Sequence, residues 1–221
     1  MDLQATLLTL PRAAVWGLSL LQIAVLALAG RLLPWRPLAG VPARLHLLGG
    51  AFLFLFGLWG IHARVHPLFG IHPLGVTTVT LLLGAPLALW VGTLAQLADL
   101  ALRGGVTSLL LADSLLNVSL PVAMTAMVLR LAVRHGPRNL YVYLLGVGFL
   151  GGGLSMLAVC LCTLLLIALG GHLSSLEGWP PAMVLLLMFP EGFVNGALVS
   201  LFAVYVPGWM KTFDDRHFLP E

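Results

Sequence analysis

The sequence predicts an all-α membrane protein, a bundle of about seven transmembrane helices with its amino terminus outside the cell. Of its 221 residues, 60% are hydrophobic and 9% are charged, whereas soluble domains carry roughly 25% charged residues. A soluble domain of this length could not bury so much apolar surface, but a bilayer also accommodates it on the outer face of the bundle. We therefore expect one transmembrane domain, residues 1–221, in a multi-pass protein of the inner cell membrane.

Five stretches predict membrane-spanning helices because each holds close to the roughly 20 apolar residues that cross a bilayer. They are residues 13–33, 45–61, 109–133, 140–170 and 181–206. The first could be mistaken for a signal peptide, but its amino-terminal flank carries Asp2 and a single base, Arg12, so we expect it to remain as a helix.

The stretch 73–102 has two interpretations. Gly84-Ala85-Pro86 lies in its middle, so it forms either one long kinked helix or two short helices joined by a turn. Two helices give seven spans, and then eight basic residues collect on one side and three on the other. If the stretch is one helix, the better orientation places seven basic residues on one side and four on the other. The positive-inside rule favours seven spans, an outer amino terminus and a cytoplasmic carboxyl terminus.

The basic residues act as topology signals because the net charge of +3 is too small and too scattered for a nucleic-acid surface. No enzyme motif is present: the chain lacks GxSxG, HExxH and the nucleotide-binding GxxxxGK[ST]. Cys160 and Cys162 lie two apart on a helix and point in different directions, so we interpret them as packing residues.

Polar pairs inside the predicted spans are candidates for function because such groups are costly in a bilayer. Asp113 with Asn117 and Glu191 with Asn195 are each spaced four apart, which places each pair on one helix face. Either pair forms structural hydrogen bonds between helices or contributes to a polar path for a substrate.

A third polar pair and a proline add further expectations. Gln96 and Asp99 are three residues apart, and Asp99 either pairs with Arg103 or takes part in function. Pro190, beside Glu191, could break the last span, and Gly192 with Gly196 predicts close helix packing.

Three histidines, His62, His66 and His72, lie in the sequence IHARVHPLFGIHP between two spans. The spacing of His62 and His66 would put two imidazoles on one helix face, as in zinc, nickel or cobalt sites. Pro67 predicts that the helix ends there. Histidines are also common at membrane interfaces without binding anything, so both interpretations stay open. The predicted topology places this loop outside.

The middle and end of the chain resemble the substrate-capture membrane subunits of cobalt and nickel importers of the energy-coupling-factor type. The resemblance rests on Gly70-Ile71-His72-Pro73-Leu74, Leu83-Gly84-Ala85-Pro86, Gly104-Gly105-Val106-Thr107 and PEGFVNG at 190–196. It implies seven spans, an outer amino terminus and His72 as a metal ligand. In that family the other ligands come from a Met-His start, whereas this sequence begins Met1-Asp2-Leu3-Gln4. Either His62 and His66 supply replacement nitrogens, or metal capture has been lost.

The leading functional hypothesis is a permease component of a transition-metal uptake system rather than an enzyme. It would capture a divalent ion such as cobalt or nickel outside, as substrate rather than permanent cofactor, and pass it inward along Asp113, Asn117, Glu191 and Asn195. The resemblance implies ATPase and coupling subunits as partners on the cytoplasmic face. The alternative is a non-transporting accessory or assembly subunit with the same fold. A metal-dependent membrane enzyme is disfavoured because no nucleophile or base is evident.

Overall fold

We describe a computed structural model, which covers residues 3–33, 42–105, 107–177 and 182–219. The helices in these ranges are α1 (Gln4–Thr9), α2 (Arg12–Leu32), α3 (Pro42–Gly60), α4 (Val76–Leu83), α5 (Ala85–Arg103), α6 (Leu110–His135), α7 (Val142–Leu169), α8 (Ala182–Tyr205) and α9 (Asp215–Phe218). Two short strands, β1 (Ala63–His66) and β2 (Phe69–Ile71), lie between α3 and α4, and single 3-10 turns lie at Thr107–Leu109, Leu173–Leu176 and Pro207–Trp209.

The all-α bundle predicted from composition is confirmed. Within the described residues, five helices are long and apolar enough to cross a membrane: α2, α5, α6, α7 and α8. The described part of α3, Arg44–Gly60, is apolar but shorter. Together with α4 these helices make seven segments, consistent with the predicted number.

The chain breaks between α4 and α5, so the stretch 73–102 is two helices and not one kinked helix. Gly84 adopts a φ of 82°, and Pro86 follows in the first turn of α5, a combination that suits a helix start. All eight residues of α4 are buried, and the helix is only about 12 Å long at about 1.5 Å per residue. It cannot span a bilayer core of about 30 Å alone.

The histidine loop is a β-hairpin, which the sequence did not predict. Helix α3 ends at Gly60, and β1 pairs antiparallel with β2 through Ala63 opposite Ile71 and Arg64 opposite Gly70. The expectation that His62 and His66 share one helix face is therefore wrong, because His62 follows the helix and His66 ends a strand. Pro67, which cannot donate to a helix, occupies the turn of the hairpin.

Helices α7 and α8 pack at the distance that the glycine pattern predicts. A Cβ atom on Gly192 would lie 2.8 Å from the Phe149 carbonyl oxygen, and one on Gly196 would lie 2.9 Å from Phe149 Cβ. Real side chains do not fit so close, so both positions require glycine. Helix α8 continues through Pro190, and the predicted break at this residue is not observed.

Candidate functional site

One end of the bundle gathers the loops that the sequence predicts to lie outside the membrane. The Thr6 hydroxyl in α1 donates to the Leu68 carbonyl oxygen in the hairpin at 2.7 Å. His66 Nε2 lies 3.1 Å from the carbonyl oxygen of Ser175 in the loop after α7. Gly105, after α5, lies beside the Gln4 side chain. Helix α1, the hairpin and both loops therefore cover the same end.

Beneath this cover lies a cavity of about 540 Å³. Its walls come from α1, the hairpin, the segment before α4, the end of α5 and the start of α6. The polar side chains that line it are Gln4, His62, Arg64, His72, Gln96, Asp99, Arg103 and Asp113. These side chains include two residues that the sequence predicted for metal capture, His62 and His72.

His72 is held in a defined orientation at the wall of this cavity. Its side chain is 7% exposed, its Nδ1 lies 2.9 Å from the Pro73 carbonyl oxygen, and its ring contacts Trp59 at 5.7 Å between centroids. Because a carbonyl can only accept, Nδ1 carries the proton and Nε2 carries the lone pair. Metal-binding histidines typically have this arrangement.

His62 and His66 differ in what their rings contact. His62 Nδ1 lies 3.2 Å from the Gly60 carbonyl oxygen, so its Nε2 carries the lone pair, as in His72. His66 accepts the Leu68 N–H on Nδ1 at 3.2 Å and places Nε2 against Ser175. Both nitrogens of His66 are thus engaged in holding the hairpin and loop together, and His66 does not line the cavity that His62 and His72 share.

Asp113 supplies a buried carboxylate to the same cavity. It is 3% exposed, and Asn117, one turn later and 1% exposed, donates from Nδ2 to Asp113 Oδ1 at 2.7 Å. Both side chains therefore face the bundle interior, on the shared helix face that their spacing predicts. Asn117 lies in a π-helical segment of α6, Leu115–Ser119. Such segments are rare and frequently occur at functional sites.

Asp99 and Arg103 form an ion pair at the cavity wall, which is one of the two alternatives that the sequence left open for Asp99. The Arg103 Nη2 and Asp99 Oδ1 atoms are 2.6 Å apart, and Arg103 Nε donates to the same oxygen at 2.9 Å. Arg103 also donates to the Trp59 carbonyl oxygen. The ion pair lies within α5, and the hydrogen bond from Arg103 to Trp59 connects the end of α5 to the end of α3.

Glu191 and Asn195 lie on the other side of the segment that carries His72. Glu191 accepts hydrogen bonds from the Leu74 N–H at 2.7 Å and the Gly75 N–H at 2.8 Å. Asn195 Oδ1 accepts from the Thr78 N–H at 2.9 Å, and Asn195 Nδ2 donates to Glu191 at 2.6 Å. These groups satisfy N–H groups at the start of α4 that have no partner within the helix, and a carboxylate there complements the helix dipole.

A second polar network, around Gln22, was missed by the sequence reasoning. Gln22 is fully buried and donates to the Ser114 hydroxyl at 3.1 Å, while Ser119 donates to Gln22 Oε1 at 2.6 Å. Thr93 Oγ1 lies 2.8 Å from Ser114 Oγ. The sequence feature that could have predicted this network is a single glutamine within an apolar helix. This network joins α2 to α5 and α6, and its Ser114 follows Asp113 in the chain.

The structure therefore brings His62, His72 and Asp113 to one cavity and places His66, Glu191 and Asn195 elsewhere. Within the described ranges, no group of three or more His, Cys, Asp or Glu side chains is close enough to hold a metal ion. Asp2 lies outside the described residues.

Comparison with known proteins identifies the family. The family model CbiM, described as the cobalt uptake substrate-specific transmembrane region, matches residues 3–209. No curated protein and no solved structure matches the chain. The matched range includes the cavity, the hairpin and both halves of the broken segment at Gly84. This chain belongs to the CbiM family and is a multi-pass membrane component of the cobalt uptake type.

Proposed function

We propose that this chain captures a divalent transition-metal ion, cobalt or nickel, at the outer face of the inner cell membrane and passes it inward. The observation that carries the proposal is the cavity of about 540 Å³ lined by both His72 and Asp113. An imidazole nitrogen and a carboxylate are ligands for such ions, and a buried carboxylate is stabilised when a cation enters beside it.

The residues of the site have distinct parts in this proposal. His72 would bind the ion through Nε2, the ring nitrogen that carries the lone pair when Nδ1 donates to the Pro73 carbonyl oxygen. Asp113, held by Asn117, supplies the negative charge, and His62 lies on the same cavity as a second imidazole. Passage farther inward along Glu191 and Asn195 requires α4 to move, because both side chains hold its amino-terminal end. We expect ATPase and coupling subunits to drive that step from the cytoplasmic face.

Uptake of radioactive cobalt or nickel by cells that express the chain tests this proposal. His72→Ala removes the ligand nitrogen and should lower uptake on the order of tenfold or more, since loss even of a residue that supports a metal ligand costs about 10- to 100-fold. His46→Ala is the matched control, because His46 lies exposed near the other end of α3 and should not matter. Equal uptake by the His72→Ala variant and the wild type would overturn the proposal and favour the non-transporting accessory role.

A further inference from the structure

Helix α6 contains a π-helical turn, Leu115–Ser119, which we call the π turn. The Leu120 N–H donates to the Leu115 carbonyl oxygen, five residues earlier, whereas an α-helix bonds residues four apart. Pro121 follows, and because proline has no N–H, it cannot give the Asn117 carbonyl its α-helical hydrogen bond. The π turn therefore lies where the regular hydrogen bonding of α6 is already interrupted.

Gln22 on α2 binds a hydroxyl group at each end of the π turn. Its Nε2 donates to Ser114 Oγ at 3.1 Å, and its Oε1 accepts from Ser119 Oγ at 2.6 Å. These serines are five residues apart, so in a regular α-helix their side chains would point about 140° apart. A π-helix bonds residues five apart and brings them to one side. The double hydrogen bond of Gln22 therefore stabilises the π-helical form of this turn.

The π turn sets the direction of the carboxylate that α6 contributes to the cavity. Asp113 lines the cavity and precedes the π turn, and Asn117 within the turn donates to its Oδ1 at 2.7 Å. A return to the α-helical form would remove one residue from the turn. Since one residue corresponds to about 100° of helix rotation, the part of α6 before the turn would rotate relative to the part after it. Asp113 would then leave the cavity wall.

Resting on the proposed function, we propose that Gln22 is a positioning residue for the ion site: it holds the π turn and so keeps the Asp113 carboxylate on the cavity. Gln22 is 0% exposed and its amide is bound by the two serines, so it acts through α6 and does not touch the ion. A buried amide in a membrane helix is costly, and such groups mark function by default.

Thiol labelling of residue 113 tests the hold on the π turn without any metal. The full-length chain in detergent carries Asp113→Cys as its single thiol, with Cys160 and Cys162 replaced by alanine. The rate of reaction with a small water-soluble methanethiosulfonate is measured. Gln22→Leu should slow the reaction severalfold, because the thiol turns away from the cavity. An equal or faster rate would overturn the proposal.

Further variants separate this role from the general loss of a buried hydrogen bond. Ser119→Ala removes one hydroxyl that Gln22 binds and should also slow labelling, whereas Ser119→Thr keeps the hydroxyl and should label like the wild type. Thr125→Val is the matched control, because Thr125 lies on α6 outside the π turn, is 0% exposed and shares a 2.9 Å hydrogen bond with Thr77. Its labelling rate should not change. Equal slowing in Thr125→Val would refute the specific role of Gln22.

Titration with Co²⁺ connects the π turn to ion capture. Gln22→Leu should weaken Co²⁺ binding about tenfold, as expected for a residue that supports a metal ligand. In the Asp113→Asn background the same substitution should have no further effect, because a positioning residue acts only through the group that it positions. A further loss of affinity in that background would contradict action through Asp113.

The outcomes separate this proposal from the proposed function. If Asp113→Asn binds Co²⁺ like the wild type while Gln22→Leu still slows labelling, the hold of Gln22 on the π turn is supported and ion capture at Asp113 is refuted. If Asp113→Asn loses binding while Gln22→Leu labels and binds like the wild type, the capture site stands and the role of Gln22 is overturned.

Discussion

Glu191 places a carboxylate within the apolar bundle and surrounds it with hydrogen-bond donors. The two backbone N–H groups of Leu74 and Gly75 and the amide of Asn195 all point at it. A carboxylate in such an environment is tolerated only when its oxygens are satisfied. The same hydrogen bonds fix the segment that leads from His72 into α4 to helix α8. The residue thus holds the position of the candidate metal ligand although it is not part of the cavity.

Glu191→Gln should destabilise the protein. A glutamine has one acceptor oxygen, so at least one of the two backbone N–H groups must face an NH₂ group and lose its partner. A buried unsatisfied donor costs about 1–3 kcal/mol, which corresponds to a fall in melting temperature of about 2–12 °C for a chain of this size. Thermal unfolding of the wild type and the variant in detergent measures this fall in melting temperature.

The control for that prediction is Glu177→Gln. Glu177 lies exposed in the loop after α7, and its loss should leave the melting temperature unchanged. An equal melting temperature in the wild type and in Glu191→Gln would contradict the role assigned to the Glu191 carboxylate.

Some residues of the site could be predicted from the sequence, and others could not, for a physical reason. Asp113 and Asn117 are spaced one helical turn apart within an apolar run, so their shared inward face follows from helix geometry. His66 could not be placed, because its ring is bound by Leu68 and by Ser175, 109 residues away. The cavity itself depends on contacts between five elements, which no local pattern encodes.

At the scale of elements, α4 is the unusual part of this bundle. Gly84 and Pro86 mark its end in the sequence, so the break between α4 and α5 could be predicted. Its start was not: the chain turns into α4 through Gly75 at a φ of 65°, and the donors of its first turn are satisfied by α8 rather than by a local cap. The hairpin of β1 and β2 was missed because each strand is too short to show an alternating pattern.

Gly75→Ala should destabilise α4 more than Gly104→Ala destabilises the end of α5. Both glycines have a φ of 65°, where an alanine costs about 1–2 kcal/mol. A Cβ on Gly75 would also lie 2.6 Å from Leu58 Cδ2 and 3.0 Å from Phe54 Cε1, whereas one on Gly104 would meet nothing within 4 Å. Thermal unfolding of the two variants separates backbone strain from packing. Equal losses would mean that α3 yields to the added methyl group.

The whole molecule has two chemically different ends. The histidine hairpin, the glycine turn after α5 and the loop after α7 contact α1 at one end. The segment after α8 joins the other end, where the Lys211 N–H donates to the Leu82 carbonyl oxygen and Thr212 contacts Tyr143. The sequence places three basic residues toward the first end and eight toward the second. The positive-inside rule therefore predicts that the cavity end faces outward.

Cysteine labelling in intact cells tests this orientation. The native Cys160 and Cys162, which lie in α7, are first replaced by alanine, and single cysteines are then introduced as Ser174→Cys at the cavity end and Pro137→Cys at the basic end. Both positions are exposed. A membrane-impermeant maleimide should label residue 174 in intact cells and residue 137 only after the membrane is opened. The reverse pattern would turn the cavity toward the cytoplasm, where it could not receive an ion from outside, and capture by His72 would be refuted together with the predicted topology.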